Sequence, residues 1–388
     1  MLAAGHACVD TCQGTVPALV PFMVLDRGVS VAAAAALLLA SNVASTLIQP
    51  LFGAYSDRLA AAWLLPASTA CAIAGIALAG IVPGYPLIFA AVLLGGIGIA
   101  AYHPEGSRYA NYVSGARKAT GMSYYSLGGN IGFALGPLLV TPLVLLFGLP
   151  GTVFLLIPGA VVTVLVTRTL PHLNSFHPEH RAKPAGRSSP DDGWRAFIQL
   201  IAVICCRSIA YFSLLALLPL YLINVLGTSQ AAGNAALTVM LASGALGTLV
   251  GGRLADRIGR RAVLIGSLAV PAPLIVLLTM AGVFPAVVLA AGIGLFTVSS
   301  FSVTVVMGQE YLPHRIGLAS GFTLGAAIGS GGLAAPLFGV IADSHGLQTA
   351  IELTAVAPTL GALLALSLPV PATARLSMER ARAARAGG

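Results

Sequence analysis

Twelve apolar runs, each close to the length needed to cross a bilayer, fill this chain almost end to end. They lie near 3–24, 31–54, 63–82, 85–104, 118–146, 150–170, 196–224, 230–252, 262–281, 284–307, 317–342 and 349–369, separated by glycine, proline and short charged turns. A backbone placed in lipid must satisfy its own hydrogen bonds, so such runs fold as helices or as a closed barrel. Barrel strands would alternate apolar and polar residues over about ten positions, and nothing here alternates. Only 8% of residues are charged and 57% are hydrophobic, against about 25% charge in soluble domains, which excludes an ordinary soluble fold. The expected fold class is an all-α membrane protein: twelve transmembrane helices in two pseudo-symmetric six-helix bundles.

The two-bundle expectation comes from an internal repeat. Gly251–Arg261 reads GGRLADRIGRR between two apolar runs, and Gly53–Arg58 reads GAYSDR in the same position of the first half. Asp57 and Asp256 are 199 residues apart (256 − 57), and so are Pro137 and Pro336 (336 − 137). Each proline closes a small-residue ridge, Gly128, Gly132 and Gly136 in span 5 and Gly325 and Gly329 in span 11, of the kind that lets another helix approach closely. Two motifs sharing one offset mark a duplication. The expected division is a bundle over 1–170, a polar linker over 171–195, a second bundle over 196–370 and a basic tail over 371–388.

Of the 20 Lys and Arg residues, 18 fall in one set of alternate loops or in the tail. Arg27 stands in an opposite loop and Arg207 inside a span. By the positive-inside bias both termini and the linker are cytoplasmic. The net charge of +8 is then topogenic, calls for no nucleic acid, and leaves the tail free to touch anionic lipid. The five cysteines (Cys8, Cys12, Cys71, Cys205, Cys206) all fall in spans and read as packing residues. The first apolar run lacks a basic leader and a cleavage site and reads as a retained span. His172, His177 and His180 of the linker are irregularly spaced, and no metal site and no cofactor are expected.

Polar residues inside spans are the candidates for function, because burying them in hydrocarbon is costly. Asp10 lies about 10 Å into span 1 by helical rise, with His6 one turn before it and Gln13 one turn after. The group is either a structural His–Asp pair or a proton site on a cavity wall. Pro17 and Pro21 bend the same helix. Span 5 adds Tyr124 and Asn130, and span 7 adds Arg207 with Tyr211 one turn on; a guanidinium at that depth pairs with an acid or faces an anionic ligand. His103, Glu105 and Arg108 crowd one end of span 4, as an interfacial salt-bridge set or as a gate. Asp57, Arg58, Asp256, Arg257 and Arg260 supply the charge of the two turns, to which the resemblance given below assigns a gate and coupling role.

The twelve spans, the middle linker and the GxLADRxGRR turn after spans 2 and 8 resemble the major facilitator superfamily over essentially the whole chain. A narrower likeness is to the fosmidomycin-resistance branch of bacterial efflux transporters. It is carried by HxxxDxxQGxxPxLxP in span 1, Gln49-Pro50, the HPExSR string from His103 to Arg108, GGNxGxxxGP in span 5 and Arg207-Ser208. One departure stands at Tyr125–Ser126, where that branch often carries glutamine.

The resemblance implies a central cavity between two bundles, alternating access by rocking, and exchange of protons for an exported small molecule. It also implies a cytoplasmic latch, Asp57 facing the start of span 11 and Asp256 the start of span 5, each carboxylate at a positive helix N-terminus. The glycine ridges would pack near the pseudo-twofold axis. The function expected is a secondary active transporter: a proton-coupled antiporter for a small drug-like or anionic compound, monomeric, in the bacterial inner membrane. The alternatives are a proton-coupled importer or facilitator of a small organic anion and, more distantly, a membrane sensor or enzyme. No GxSxG, HExxH or phosphate loop supports an enzyme.

Overall fold

The computed structural model describes residues 1–42, 62–113, 118–175, 193–312 and 316–369, and every regular element among them is helical. The first half contains α1 (Leu2–Arg27), α2 (Val31–Asn42), α3 (Leu64–Ile81), α4 (Tyr85–Val113), α5 (Lys118–Phe147) and, after a 3₁₀ segment over Leu149–Leu155, α6 (Leu156–Asn174). The second half begins with α7 (Trp194–Asn224) and α8 (Gln230–Ile258). It continues with α9 (Arg260–Ala269), α10 (Pro271–Thr279), α11 (Val283–Ser299), α12 (Phe301–Tyr311), α13 (Ile316–His345), α14 (Leu347–Thr354) and α15 (Val356–Leu366).

Eleven stretches of described residues are helical, long and apolar enough to cross a bilayer, and α2 is a shorter apolar helix. Three of the expected spans are broken. α9 and α10 part at Pro271, which has no amide to donate and starts a helix afresh; α11 and α12 part at Ser300; α14 and α15 part at Ala355. Large side chains turned outward, such as Leu146, Ile157, Met280, Phe284 and Leu337, are each at least 65% exposed, as a lipid-facing belt requires.

The glycine ridge of α5 has a definite partner. A Cβ on Gly128 would lie 2.3 Å from the Ala3 carbonyl, one on Gly132 would lie 2.1 Å from that of Ala7, and one on Gly136 would lie 2.3 Å from Gly14. The ridge therefore seats α1 inside its own bundle, which corrects the expectation of packing along the pseudo-twofold axis. In span 11 the expected ridge is not a close contact at Gly325, where an added Cβ would meet nothing within 4 Å; two other glycines, Gly332 against Asn42 and Gly339 against Ala32, pack α13 across onto α2 of the other bundle.

Other cross-bundle contacts gather toward the end opposite the start of α1, here called the distal end. Asp343 at the end of α13 accepts from the backbone N–H of Val31 (2.8 Å) and Ala32 (2.9 Å), capping α2. Gln230 donates to Asp26 (3.2 Å), and the buried Asn234 of α8 donates to the Ala18 carbonyl of α1 (3.0 Å) and to Thr141 of α5 (2.9 Å). A carboxylate capping a helix across the bundles thus exists, but at the distal end and on Asp343. Asp57, Arg58 and Gln49-Pro50 lie outside the described residues, and Asp256 is placed by its backbone alone, in the last turn of α8.

Candidate functional site

Three side chains from two helices converge on one buried carboxylate. α1 carries His6 and Asp10 one turn apart, and His6 Nε2 lies 3.3 Å from Asp10 Oδ2. α4 brings His103, whose Nε2 lies 3.1 Å from Asp10 Oδ1. Residue His6 is 8% exposed and Asp10 is 9% exposed, while the ring of His103 keeps a quarter of its surface open.

The other nitrogen of each imidazole settles its tautomer. His6 Nδ1 is 2.8 Å from the carbonyl oxygen of Tyr125, and His103 Nδ1 is 2.8 Å from that of Ile99. A carbonyl only accepts, so each Nδ1 carries a hydrogen and each Nε2 is turned to the carboxylate. With both histidines neutral and Asp10 ionised, lone pair faces lone pair at both contacts. One added proton relieves one contact. Two added protons relieve both and leave the cluster at a net charge of +1. The cluster is a built receptacle for up to two positive charges.

Its surroundings hold the rings in place. Tyr125 stacks on His6 with centroids 4.1 Å apart and planes at 19°, Tyr102 lies over it at 6.3 Å, and the Tyr102 hydroxyl donates to the Leu2 carbonyl (2.8 Å). Gly129 of α5 gives the cluster its space: a Cβ there would stand 2.5 Å from the His6 ring and 2.6 Å from Asp10 Oδ2. Pro104 follows His103 within α4 and removes an amide from the helix ladder at that point.

The HPExSR string therefore divides. His103 turns to Asp10, whereas Glu105, fully buried, pairs with Arg108 at 2.5 Å, and Arg108 lies 5.4 Å above the Tyr109 ring. Reading all three as one gate cluster is corrected by helix geometry, since positions 103 and 105 point to different faces. Gln13 donates to Asn42 of α2 (3.1 Å), and both line a small cleft between the bundles with Pro17, Phe133 and Phe212. Tyr124 is 66% exposed, and the residue that reaches the cluster is its neighbour Tyr125. Asn130 is half-buried on α5.

In the second half, Arg207 of α7 is 5% exposed, donates to Ser300 Oγ (3.1 Å) at the α11–α12 break and lies 5.5 Å from the Phe301 ring centroid. Among the described residues no carboxylate stands at ion-pair distance from it. Tyr211 is half-buried one turn on and packs edge-on against Phe212. Arg257 is exposed, and Arg260 forms an ion pair with Glu310 at the end of α12 within the same bundle.

Sequence reasoning named His6, Asp10 and His103 without joining His103 to the others. It missed Tyr102, Gly129, Asn42, Asn234, Ser300 and Asp343, of which Asn234, a buried amide in an apolar helix, carried the most visible signal.

Comparison with known proteins places this arrangement in a family. The model of the Major Facilitator Superfamily matches residues 2–247 and 200–386. The Fosmidomycin resistance protein of Escherichia coli (strain K12) is 28% identical over 372 residues, covering 95% of this chain and 91% of the relative. YfnC of Bacillus subtilis (strain 168), an uncharacterised transporter of the same type, is 32% identical over 375 residues, covering 94% and 90%. Among solved structures, a bacterial homologue of the human lysosomal transporter Spinster, inward-facing and occupied, superposes with a TM-score of 0.75 at 15% identity over 94% of this chain and 95% of that one. The nucleoside transporter NupG gives 0.71 at 15% identity over 95% and 100%. Eleven spanning helices among the described residues, and a family model that matches residues 2–247 and 200–386, lead to one conclusion: the chain belongs to the Major Facilitator Superfamily and is a multi-pass membrane transporter, not an enzyme.

Proposed function

We propose that this transporter is a proton-coupled antiporter that exports a small drug-like or anionic compound across the bacterial inner membrane by alternating access. The observation that carries the reading is the paired orientation of His6 and His103 on Asp10, which provides a buried, proton-accepting cluster. Arg207 supports the anionic character of the cargo, because a buried guanidinium that meets no carboxylate among the described residues leaves a positive charge for a ligand to neutralise. The likeness to the Fosmidomycin resistance protein adds a phosphonate drug as the first compound to test.

The coupling runs through α1. Its first turns carry His6 and Asp10, Gln13 one turn further meets Asn42 at the cleft, and Ala18 accepts from Asn234 of the other bundle. A change in charge at Asp10 alters what α1 gains by resting against α4 and α5. The same rigid helix transmits that change to the bundle interface, the element that must move for access to alternate. Both termini are assigned to the cytoplasm, and the Asp343 cap to the outer side.

The test is substrate-triggered proton movement in proteoliposomes carrying an internal pH dye, with fosmidomycin and a panel of organic anions. Proton movement opposite in direction to the compound is the expected result. Movement of both in the same direction would replace the antiporter by an importer. Compound flux without proton movement would replace it by a facilitator.

A further inference from the structure

The geometry points to a second ligand for the same cluster: we infer that His6, Asp10 and His103 bind one divalent transition-metal cation of the zinc class. The inference rests on the side-chain geometry and holds whatever compound the protein carries.

The donor set is the first argument. Two imidazole nitrogens and a carboxylate suit Zn²⁺, Co²⁺ or Ni²⁺, whereas Mg²⁺ and Ca²⁺ prefer oxygen donors throughout. The donor atoms all lie within 4.8 Å of one another, and the two nitrogen–oxygen separations are 3.3 Å and 3.1 Å. Bonds of about 2.0–2.1 Å in a tetrahedral site set its edges at about 3.4 Å, so the side chains need only small adjustments to close on an ion.

The outer shell is the second argument. A metal-bound histidine donates its other ring N–H to a carbonyl or carboxylate, which fixes the tautomer and aims the lone pair. Both histidines here already do so, to Tyr125 and to Ile99. The third argument is the contact at Asp10 Oδ1, a buried oxygen that faces His103 Nε2 at 3.1 Å: with the ring neutral and its hydrogen on Nδ1, two lone pairs meet there, and a proton or a metal cation between them satisfies both. Charge agrees as well. Two neutral histidines, one carboxylate and one divalent ion sum to +1, the same charge that satisfies both contacts without a metal. The quarter-open ring of His103 provides the approach, and a fourth position is left for water or for an anionic ligand.

The experiment is Co²⁺ titration of the purified full-length transporter in detergent, read by visible absorption and by calorimetry. One ion per chain with the intense bands of four-coordinate Co²⁺ is expected. His103→Gln should weaken binding on the order of 100-fold or more. His103→Cys should restore it and add a sulfur-to-cobalt band in the near ultraviolet, a signal that a misfolded variant does not give. A chain with His172, His177 and His180 all changed to Gln should bind as the wild type does. Absence of binding, or binding that survives in His103→Gln and vanishes in the linker variant, would overturn the inference. Neither result bears on whether protons and a compound are exchanged.

Discussion

The two halves of this transporter place opposite charges on equivalent helices, the first of each bundle. Asp10 and Arg207 are 197 residues apart (207 − 10), and so are their respective partners His103 and Ser300 (300 − 103), close to the 199-residue offset of the repeat. In the first half α1 and α4 hold an acid between two imidazoles. In the second half α7 and the α11–α12 break hold a guanidinium against a hydroxyl and an aromatic ring. The helices are equivalent and the chemistry is inverted. A duplicated bundle has no structural need for a buried charge in either copy, because well-packed apolar residues would serve stability as well or better. On the proposed function the difference is a division of labour, with proton handling assigned to the first half and recognition of an anionic compound to the second.

The comparison can be broken from either side, and the largest effect is expected at Asp10. Asp10→Asn keeps the shape and removes the charge both histidines face, so proton movement triggered by the compound should fall to the level of empty vesicles. Next is Arg207. Arg207→Met should lower transport of an anionic compound by about 10- to 100-fold, the worth of a charge-assisted contact. Its thermal unfolding temperature in detergent should be unchanged or higher, since among the described residues no carboxylate pairs with Arg207; a marked drop would make the arginine a structural residue.

Gly129→Ala sharpens the geometry of the first half. The added methyl would overlap the His6 ring and Asp10, and overpacking of about 1–3 kcal/mol should slow coupled transport about tenfold or more while leaving the protein folded. Asp343→Asn tests the distal cap. The loss of a carboxylate at the start of α2, worth about 1 kcal/mol, should shift the population open at that end about fivefold, read as a distance change between spin labels flanking Gly28 and Gly346. The smallest effect is expected for Tyr125→Phe. It keeps the stacking on His6 and the backbone carbonyl and loses only a 3.4 Å hydroxyl contact, so transport should stay within about twofold.

The spans, their prolines and the repeat were legible because bilayer thickness imposes a length that composition cannot hide. His6 and Asp10 were legible as a pair because one helical turn separates them. The addition of His103 was not, since it stands 93 residues further on (103 − 10) and only the packing of α4 against α1 brings it in. Tyr124 and Tyr125 differ by about 100° around α5, and an apolar helix offers no polar face by which to choose between them. The glycine ridge announced a close neighbour without identifying it as α1. The break at Ser300, which receives Arg207, carries no proline to announce it. Local chemistry was visible in the sequence, and the partners across helices were not.

The central claim, that the His6–Asp10–His103 cluster ties proton movement to transport, is tested most directly by Asp10→Asn in proteoliposomes. Two modes are compared on the same preparation: accumulation of the compound driven by a pH gradient, and exchange of labelled for unlabelled compound with no gradient. The account predicts that the gradient no longer drives accumulation while exchange continues, because the cleft between the bundles and Arg207 are intact. Accumulation that still follows the pH gradient in Asp10→Asn would contradict it and would return the cluster to a structural role.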